Sequence, residues 1–134
     1  MRVLIATDGS ECSYEAARRF IKLTHATRHE IRILHVMPRL TVGRDTAYLQ
    51  MQEEREGLVA LNTVKSIFDD VAIPVETEMR QGTPVDTILE VARKGNYDLI
   101  VIGHRGRGGF RELLLGSVSK TIVQDVPCSV LIVR

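Results

Sequence analysis

The sequence lacks the closely spaced cysteine pairs that hold zinc, form redox centres or crosslink small secreted domains. It has only two cysteines, Cys12 and Cys128, which lie near opposite ends of the chain. A chain of 134 residues buries enough surface on folding to need neither a disulfide nor a structural metal. We therefore predict two free thiols in a protein of a reducing compartment.

Long apolar runs and a strong net charge are absent as well. No uninterrupted apolar stretch approaches the roughly 18 residues that suggest a membrane span, and the first residues predict a strand rather than a signal peptide. The net charge of +1 gives no general electrostatic reason to expect nucleic acid or an anionic membrane as a partner. We expect a cytoplasmic protein in which any anion binding is local.

The sequence instead alternates between apolar runs that predict strands and apolar residues at helical spacing. Five strands are predicted, of which the third favours a sheet edge with one wet face: 3–6, 31–36, 75–80, 99–102 and 130–133. Four helices are predicted between them: after Ser10, from Tyr48 to about Asp70, after Thr83 and after Ser117. This order predicts one α/β domain over residues 1–134, a three-layer sandwich on a parallel sheet with right-handed crossovers.

We expect the apolar residues at helical spacing to face the core. Ser10 and Thr83 are predicted N-caps, and Gly57 is the weak point of the long second helix. The predicted apolar faces are Ala16, Ala17, Phe20, Ile21 and Leu23 in the first helix, Tyr48, Met51, Leu58, Leu61, Val64, Ile67 and Phe68 in the second, and Val85, Ile88, Leu89 and Ala92 in the third.

Two strand ends carry the polar residues that indicate a binding site. The strands at 3–6 and 99–102 are the most apolar, so we predict that they are central neighbours in the sheet. They are followed by Thr7-Asp8-Gly9-Ser10 and by Gly103-His104-Arg105-Gly106. Ligands of open α/β sheets bind beyond the carboxyl ends of the strands, where the strand order reverses. We expect the ligand at these two segments.

The segment from Gly103 to Arg111 has four glycines in nine residues. Glycine lets backbone amides approach a ligand closely, as an amide cradle for phosphate requires. Gly116-Ser117 precedes the last helix, whose free N–H groups form a second anion site. A surface loop followed by an ordinary helix cap is the alternative. Walker's Gly-Lys-Ser/Thr does not occur, and the dinucleotide-binding Gly-x-Gly-x-x-Gly fails because Arg111 stands at its third glycine.

The spacing of Gly103, Gly106 and Gly116-Ser117, with two and then nine residues between them, resembles the universal stress protein family, in the subgroup that binds ATP. The likeness covers essentially the whole chain. Ser129 departs from it, because a second proline is common there. The matching segments are Ala6-Thr-Asp-Gly-Ser10, Leu34-His-Val36, Gly82 with Pro84, Asp98-Leu-Ile-Val-Ile-Gly103, Leu115-Gly-Ser-Val-Ser119 and Val126-Pro-Cys-Ser-Val-Leu-Ile-Val133.

The resemblance implies an adenine-nucleotide α-hydrolase-like fold, with five parallel strands in the order 3-2-1-4-5 and bound ATP, ADP or AMP. Asp8 is also the candidate ligand of a magnesium ion, with capping of the first helix as its alternative role. The implied site residues are Ala6, Thr7 and Asp8 on the adenosine side, the backbone of Val36 at the adenine, Gly103, Gly106, Gly116, Ser117 and Val118 at the phosphates, and the hydroxyl of Ser119. His104 and Arg105 are further candidates from a segment that is more basic than the family pattern demands, and a solvated basic loop is the alternative for Arg105.

The apolar strand at 130–133 is predicted at a sheet edge, where an exposed strand invites pairing. The resemblance implies a homodimer formed through this strand, which would cover the edge in a two-fold arrangement. Shielding of the edge by Arg134 within a monomer is the alternative. The residues of the implied interface are Val130, Leu131, Ile132 and Val133.

No catalytic residues are predicted, because neither a Ser-His-Asp order nor a metal cluster is evident, and His35 is predicted to be a packed residue. The predicted function is that of a regulatory stress-response protein that binds ATP and hydrolyses it slowly or not at all. The alternatives are a small ATP-cleaving or adenylyl-transferring enzyme of the same fold, a dimeric interaction module with an empty site, and RNA contact through Arg105-Gly-Arg-Gly-Gly109.

Overall fold

The computed structural model describes residues 1–25, 28–106 and 117–134. Strands and helices alternate along these residues, as the sequence predicts. None of the helices in these ranges is both long enough and apolar enough to cross a membrane. The elements are β1 (Arg2–Ala6), α1 (Glu11–Thr24), β2 (Glu30–Met37), α2 (Thr46–Ile67), β3 (Val75–Gln81), α3 (Pro84–Lys94), β4 (Leu99–Gly103), α4 (Ser117–Asp125) and β5 (Ser129–Val133).

The strands form one five-stranded sheet in the order β3-β2-β1-β4-β5, and every neighbouring pair is parallel. This confirms the predicted α/β fold and strand order. Ile5 at the centre of the sheet lies opposite Ile33 of β2 on one side and Val101 of β4 on the other. The strand order reverses between β1 and β4, so the carboxyl ends of these two strands flank the switch point where ligands of such sheets bind.

The core consists of two apolar layers, one on each face of the sheet. Val3 and Ile5 of β1 pack with Phe20 of α1 on the face that α1 and α2 cover. Leu4 packs with Ile122 of α4 on the face that α3 and α4 cover. Successive residues of a strand point to opposite faces, which is why neighbouring positions of β1 enter different layers. The described residues therefore form the predicted three layers.

Helices α1 and α3 bury most of the residues predicted to face inward. Ser10 is the N-cap of α1, as predicted, because its Oγ accepts a hydrogen bond from the Ser13 N–H. Leu23, in contrast, is 62% exposed, so its prediction as an inward residue is wrong. At α3, Pro84 occupies the first turn, but the Thr83 side chain makes no capping hydrogen bond.

Helix α2 packs through small residues instead of the large ones predicted for its first half. Tyr48, Met51 and Leu58 are more than half exposed, whereas Gly57 and Ala60 are buried, together with Leu61, Val64 and Phe68. At Gly57 the helix approaches β2 and β3 so closely that a Cβ atom would lie 2.6 Å from Met79 Cε and 2.7 Å from His35 Cδ2. Periodicity alone predicts the large apolar residues as the buried face, and that prediction is wrong for the first half of α2.

The edge strand β3 carries a ladder of charges that it shares with β2. Arg32 pairs with Glu76 and Glu78, and Arg80 pairs with Glu78. On the other face of the strand, Met79 packs against the core. These contacts confirm the prediction of an edge strand with one wet face.

Both cysteines are free thiols, as predicted. Burial raises the pKa of the Cys128 thiol, and the nearby carboxylate of Asp98 raises it further. A thiol whose pKa is raised has less of the reactive thiolate at neutral pH. The surroundings of Cys128 therefore favour the protonated thiol over the thiolate.

Candidate functional site

The turn after β1 is held together by hydrogen bonds among its own residues. Asp8 Oδ1 accepts a hydrogen bond from the Ser10 N–H at 2.9 Å, and Thr7 Oγ1 accepts one from the Gly9 N–H at 3.2 Å. Gly9 has a φ of 82°, in the left-handed region that glycine adopts without strain. Ser10, and not Asp8, caps α1, so the Asp8 carboxylate stabilises the turn that precedes the helix.

The hydroxyl of Thr7 both donates and accepts a hydrogen bond within the protein. Thr7 is 4% exposed, and its Oγ1 lies 2.8 Å from Ser13 Oγ. Ser13 donates its own proton to the Ser10 carbonyl at 2.8 Å, so Thr7 is the donor to Ser13. Because Thr7 Oγ1 also accepts from Gly9, the Thr7 hydroxyl is fully occupied within the protein.

Strand β4 ends at Gly103, where the missing side chain makes room for helix α1. A Cβ atom on Gly103 would lie 2.8 Å from the backbone C and O of Cys12 and 3.0 Å from the Ser13 nitrogen. Real Cβ atoms essentially never come so close to a backbone. Packing between β4 and the first turn of α1 therefore requires a glycine here, independently of any ligand.

Asp8 and Gly106 bring the two predicted halves of the site together. A Cβ atom on Gly106 would lie 2.8 Å from Asp8 Oδ2, so the carboxylate lies directly against the backbone of the second glycine in the predicted phosphate motif. Asp8 is half-buried and Gly106 is exposed. The turn after β1 and the segment after β4 thus meet at the switch point between the two strands.

His104 joins the end of β4 to the end of β5. Its backbone N–H donates to the Val133 carbonyl at 2.9 Å, and its Nδ1 lies 3.2 Å from the same oxygen. The register of the two strands ends with Gly103 opposite Val133, so His104 extends the pairing by one residue. The side chain is 8% exposed, and its Nδ1 faces β5.

Ser119 attaches the first turn of α4 to the end of β4. Its Oγ donates a hydrogen bond to the Gly103 carbonyl at 2.8 Å, and the residue is 4% exposed. Ser117 is exposed, and Val118 packs against the apolar layer on its face of the sheet. The start of α4 is thereby brought to the carboxyl end of β4. Gly116, the other predicted residue of this anion site, lies outside the described residues, as does the stretch from Arg107 to Leu115.

The predicted adenine side of the site is formed by the ends of β1 and β2. Ala6 is buried and Val36 is half-buried, and both belong to the apolar layer that α3 and α4 cover. The Thr7 N–H donates to the Leu34 carbonyl at 2.9 Å, which continues the pairing of β1 with β2 beyond Ala6. The backbone of Val36 therefore lies one strand away from the turn that carries Asp8.

Helix α2 forms a wall of the site that the sequence did not predict. The Cβ of Ala60 lies 3.6 Å from the position that a Cβ on Gly9 would occupy. A Cβ on Gly57 would lie 2.7 Å from Cδ2 of His35, the buried residue that precedes Val36. The signal was present in the sequence as a glycine inside a long helix, because such a glycine often marks a close approach of two elements.

Charged groups of both signs flank the site. Asp8 provides the carboxylate, and Arg105 is half-buried with an Nε atom that has no hydrogen-bond partner within the described residues. Across the same residues, no three His, Cys, Asp or Glu side chains lie close enough together to hold a metal ion. A cation bound at Asp8 would therefore need most of its ligands from a bound molecule and from water.

Comparison with known proteins finds relatives from one family, and the matches cover nearly the whole chain. Residues 1–134 match the profile of the universal stress protein family. The chain is 33% identical to universal stress protein MJ0531 of Methanocaldococcus jannaschii, over 99% of this chain and 81% of that one. It is also 33% identical to universal stress protein YxiE of Bacillus subtilis, over 99% of this chain and 98% of that one.

Solved structures share the fold. A universal stress protein in complex with cAMP is 25% identical and superimposes with a TM-score of 0.77, over 100% of this chain and 97% of that one. A universal stress protein family protein from Arabidopsis thaliana with AMP bound is 18% identical, with a TM-score of 0.73 over 99% of this chain and 90% of that one. The second likeness bears on the fold alone. From the match of the family profile and these relatives, the chain belongs to the universal stress protein family.

Proposed function

We propose that this protein binds an adenine nucleotide at the carboxyl ends of β1, β2 and β4, and that it acts as a regulatory stress-response protein with slow or no hydrolysis. The observation that carries the proposal is the contact between Asp8 and Gly106. It joins the predicted adenosine side and the predicted phosphate side at the switch point of the sheet, which is the usual ligand position in such folds.

The predicted site residues divide into two groups by the contacts that they make. Thr7, Gly103, His104 and Ser119 use their side chains, or the lack of one, to hold β1, β4, α1, α4 and β5 together. In the proposal these residues form the frame that holds the ends of β1 and β4 in place around the nucleotide. The proposal assigns direct contact with the ligand to two charged side chains of the site, Asp8 and Arg105.

Binding of an adenine nucleotide is supported by the similar universal stress protein whose structure was solved in complex with cAMP. The ligand of that protein contains adenine, ribose and a phosphate, and we propose the same class of ligand for this chain, in the form of ATP, ADP or AMP. A magnesium ion would be held by Asp8 and by the phosphates, and it would neutralise charge between the carboxylate and the nucleotide.

Asp8→Asn is expected to weaken binding of ATP and AMP by about tenfold, because charge-assisted hydrogen bonds and metal ligation are lost while the amide oxygen still accepts from Ser10. The measurement is calorimetric titration with each nucleotide, with and without magnesium. Asp86→Asn removes the same charge from an exposed position in the first turn of α3, and its affinities should equal those of the unmodified protein.

A role of Asp8 in holding magnesium predicts that removal of the ion weakens ATP binding in the unmodified protein but not in Asp8→Asn. Contact with the ribose predicts instead that the variant also loses affinity for adenosine. If neither ATP, ADP nor AMP binds at millimolar concentration, the proposed function is wrong. Rapid multiple turnover of ATP would favour the alternative of an ATP-cleaving enzyme.

We further propose a homodimer formed through β5. This strand lies at an edge of the sheet, and Val130, Leu131 and Ile132 are half-buried. An apolar edge of this kind is a surface on which a second copy can pair, and a two-fold arrangement closes after two copies. The single domain and the cytoplasmic location stay predictions.

The dimer is tested by sedimentation velocity over a range of protein concentrations. We expect Leu131→Lys to shift the protein to the monomer, because a charge at the centre of β5 opposes burial against a second copy. Val123→Lys, at a 47% exposed position on α4, introduces the same charge away from the edge and should leave the dimer intact. Sedimentation of the unmodified protein as a monomer at every concentration would rule out the proposed interface.

A further inference from the structure

His35 is a buried polar side chain whose two ring nitrogens have different surroundings. The residue is 3% exposed, and its Nδ1 lies 2.9 Å from the Thr7 carbonyl oxygen. Because a carbonyl only accepts hydrogen bonds, Nδ1 carries the proton in this contact. Nε2 is buried and has no partner within the described residues.

The imidazole is pressed against Thr7 by helix α2. A Cβ atom on Gly57 would lie 2.7 Å from His35 Cδ2 and 3.1 Å from Nε2. Met79 of β3 stands opposite His35 in the register and contacts the same point of the helix. The ring is therefore confined between the end of β1 and the backbone of α2, and it cannot turn away from Thr7 without moving the helix.

The bond to His35 sets the direction of the next peptide group. The Thr7 carbonyl and the Asp8 N–H belong to one planar trans peptide, so the two groups point in opposite directions. A Thr7 carbonyl that points to His35 on β2 directs the Asp8 N–H away from β2. Since β1 lies between β2 and β4, the Asp8 N–H is directed to the β4 side, where Gly103 and Gly106 lie.

We propose that His35 is a positioning residue of the nucleotide site, which holds the Thr7-Asp8 peptide in the orientation that binding requires. The inference rests on the proposed nucleotide binding. An apolar ring of similar size would fill the same space without leaving a buried Nε2 unpaired, which costs free energy. What the imidazole adds over such a ring is the hydrogen bond from Nδ1 to Thr7.

Two substitutions separate this role from simple packing. In His35→Asn the amide nitrogen takes the position of Nδ1 and still reaches the Thr7 carbonyl, although the smaller side chain leaves a larger void. In His35→Gln the volume is better preserved, but the amide lies one carbon farther from the backbone and misses that oxygen. If His35 only fills space, His35→Asn should weaken nucleotide binding more than His35→Gln does. If His35 positions the peptide, His35→Gln should weaken binding more.

The experiment measures three quantities for each variant: the affinity for AMP and ATP, the free energy of unfolding in urea, and the NMR shifts of the Asp8 and Gly9 amides without ligand. We expect His35→Gln to weaken binding by about tenfold, the value of one hydrogen bond, and His35→Asn to weaken it by less than about threefold. The Asp8 amide should shift more in His35→Gln than in His35→Asn, even though His35→Asn is the less stable of the two.

If His35→Asn, the less stable variant, also binds the nucleotides more weakly than His35→Gln, the positioning role is overturned. If the unmodified protein binds neither nucleotide, the proposed function fails. The NMR shift of the Asp8 amide then still shows whether His35 orients the Thr7-Asp8 peptide. An amide that is unchanged in His35→Gln would then show that the imidazole does not orient this peptide.

Discussion

Gly103→Ala is expected to lower the free energy of unfolding by about 3 kcal/mol, at the upper end of the cost of overpacking. The added methyl would meet the carbonyl group of Cys12 and the nitrogen of Ser13, which are part of the α1 backbone and cannot rotate away. Helix α1 must therefore move away from β4. Because Ser13 bonds to Thr7, the same movement disturbs the turn that carries Asp8, and affinity for AMP should fall as well.

Gly43→Ala is the matched control for this substitution. Among the described residues, the one atom within 4 Å of a Cβ atom on Gly43 is Thr46 Oγ1, at 3.8 Å. The free energy of unfolding should therefore change by less than about 1 kcal/mol. The measurement is urea unfolding followed by circular dichroism. A Gly103→Ala variant of normal stability that no longer binds AMP would mean that the glycine serves ligand approach and not helix packing.

Gly57→Ala is expected to destabilise the protein by about 1–2 kcal/mol, although glycine to alanine inside a helix normally gains about 1 kcal/mol. The methyl would lie 2.6 Å from Met79 Cε and 2.7 Å from His35 Cδ2. The end of the methionine can move aside, whereas the imidazole is held by the Thr7 carbonyl. The loss therefore comes mainly from His35.

A double-mutant cycle measures this coupling. In a His35→Asn background the side chain is smaller, so Gly57→Ala should cost less than in the unmodified protein, by an interaction free energy of about 1 kcal/mol. In a Met79→Ala background most of the cost should remain. Stabilisation by Gly57→Ala in the unmodified protein would show that α2 has room to retreat, and it would remove the support that confines the ring of His35.

The sequence predicted the elements of the fold well, because most of them carry strong local signals. The strand at 99–102 is wholly apolar and continuous, and the turn Asp8-Gly9-Ser10 combines a glycine with a good helix cap. Helix α2 was harder, because Tyr48, Met51 and Leu58 have the spacing of a buried face and are exposed. Which face of a helix is buried depends on the distance between the helix and the sheet. The spacing of apolar residues along the sequence does not predict that distance.

The site was predicted as a set of residues, but the contacts that hold it together were not. The pattern of glycines predicts Gly103 as a phosphate-binding residue, and it contains no information about the close approach of Gly103 to Cys12 and Ser13. His35 was predicted to be packed, and its bond to Thr7 depends on which ring nitrogen meets the end of β1. Contacts of this kind join residues that are distant in the chain, so no local pattern reports them.

The two edges of the sheet differ in charge, and this difference bears on how far assembly proceeds. Edge strand β3 carries Glu76, Glu78 and Arg80, which pair with one another and with Arg32 of β2, whereas β5 is apolar. Pairing of β5 on one copy with β3 on the next would leave free edges at both ends and produce a growing fibre. Charges along one edge oppose that head-to-tail contact. In the proposed homodimer, the charged β3 edge would therefore oppose further strand pairing, and assembly through β5 would stop at two copies.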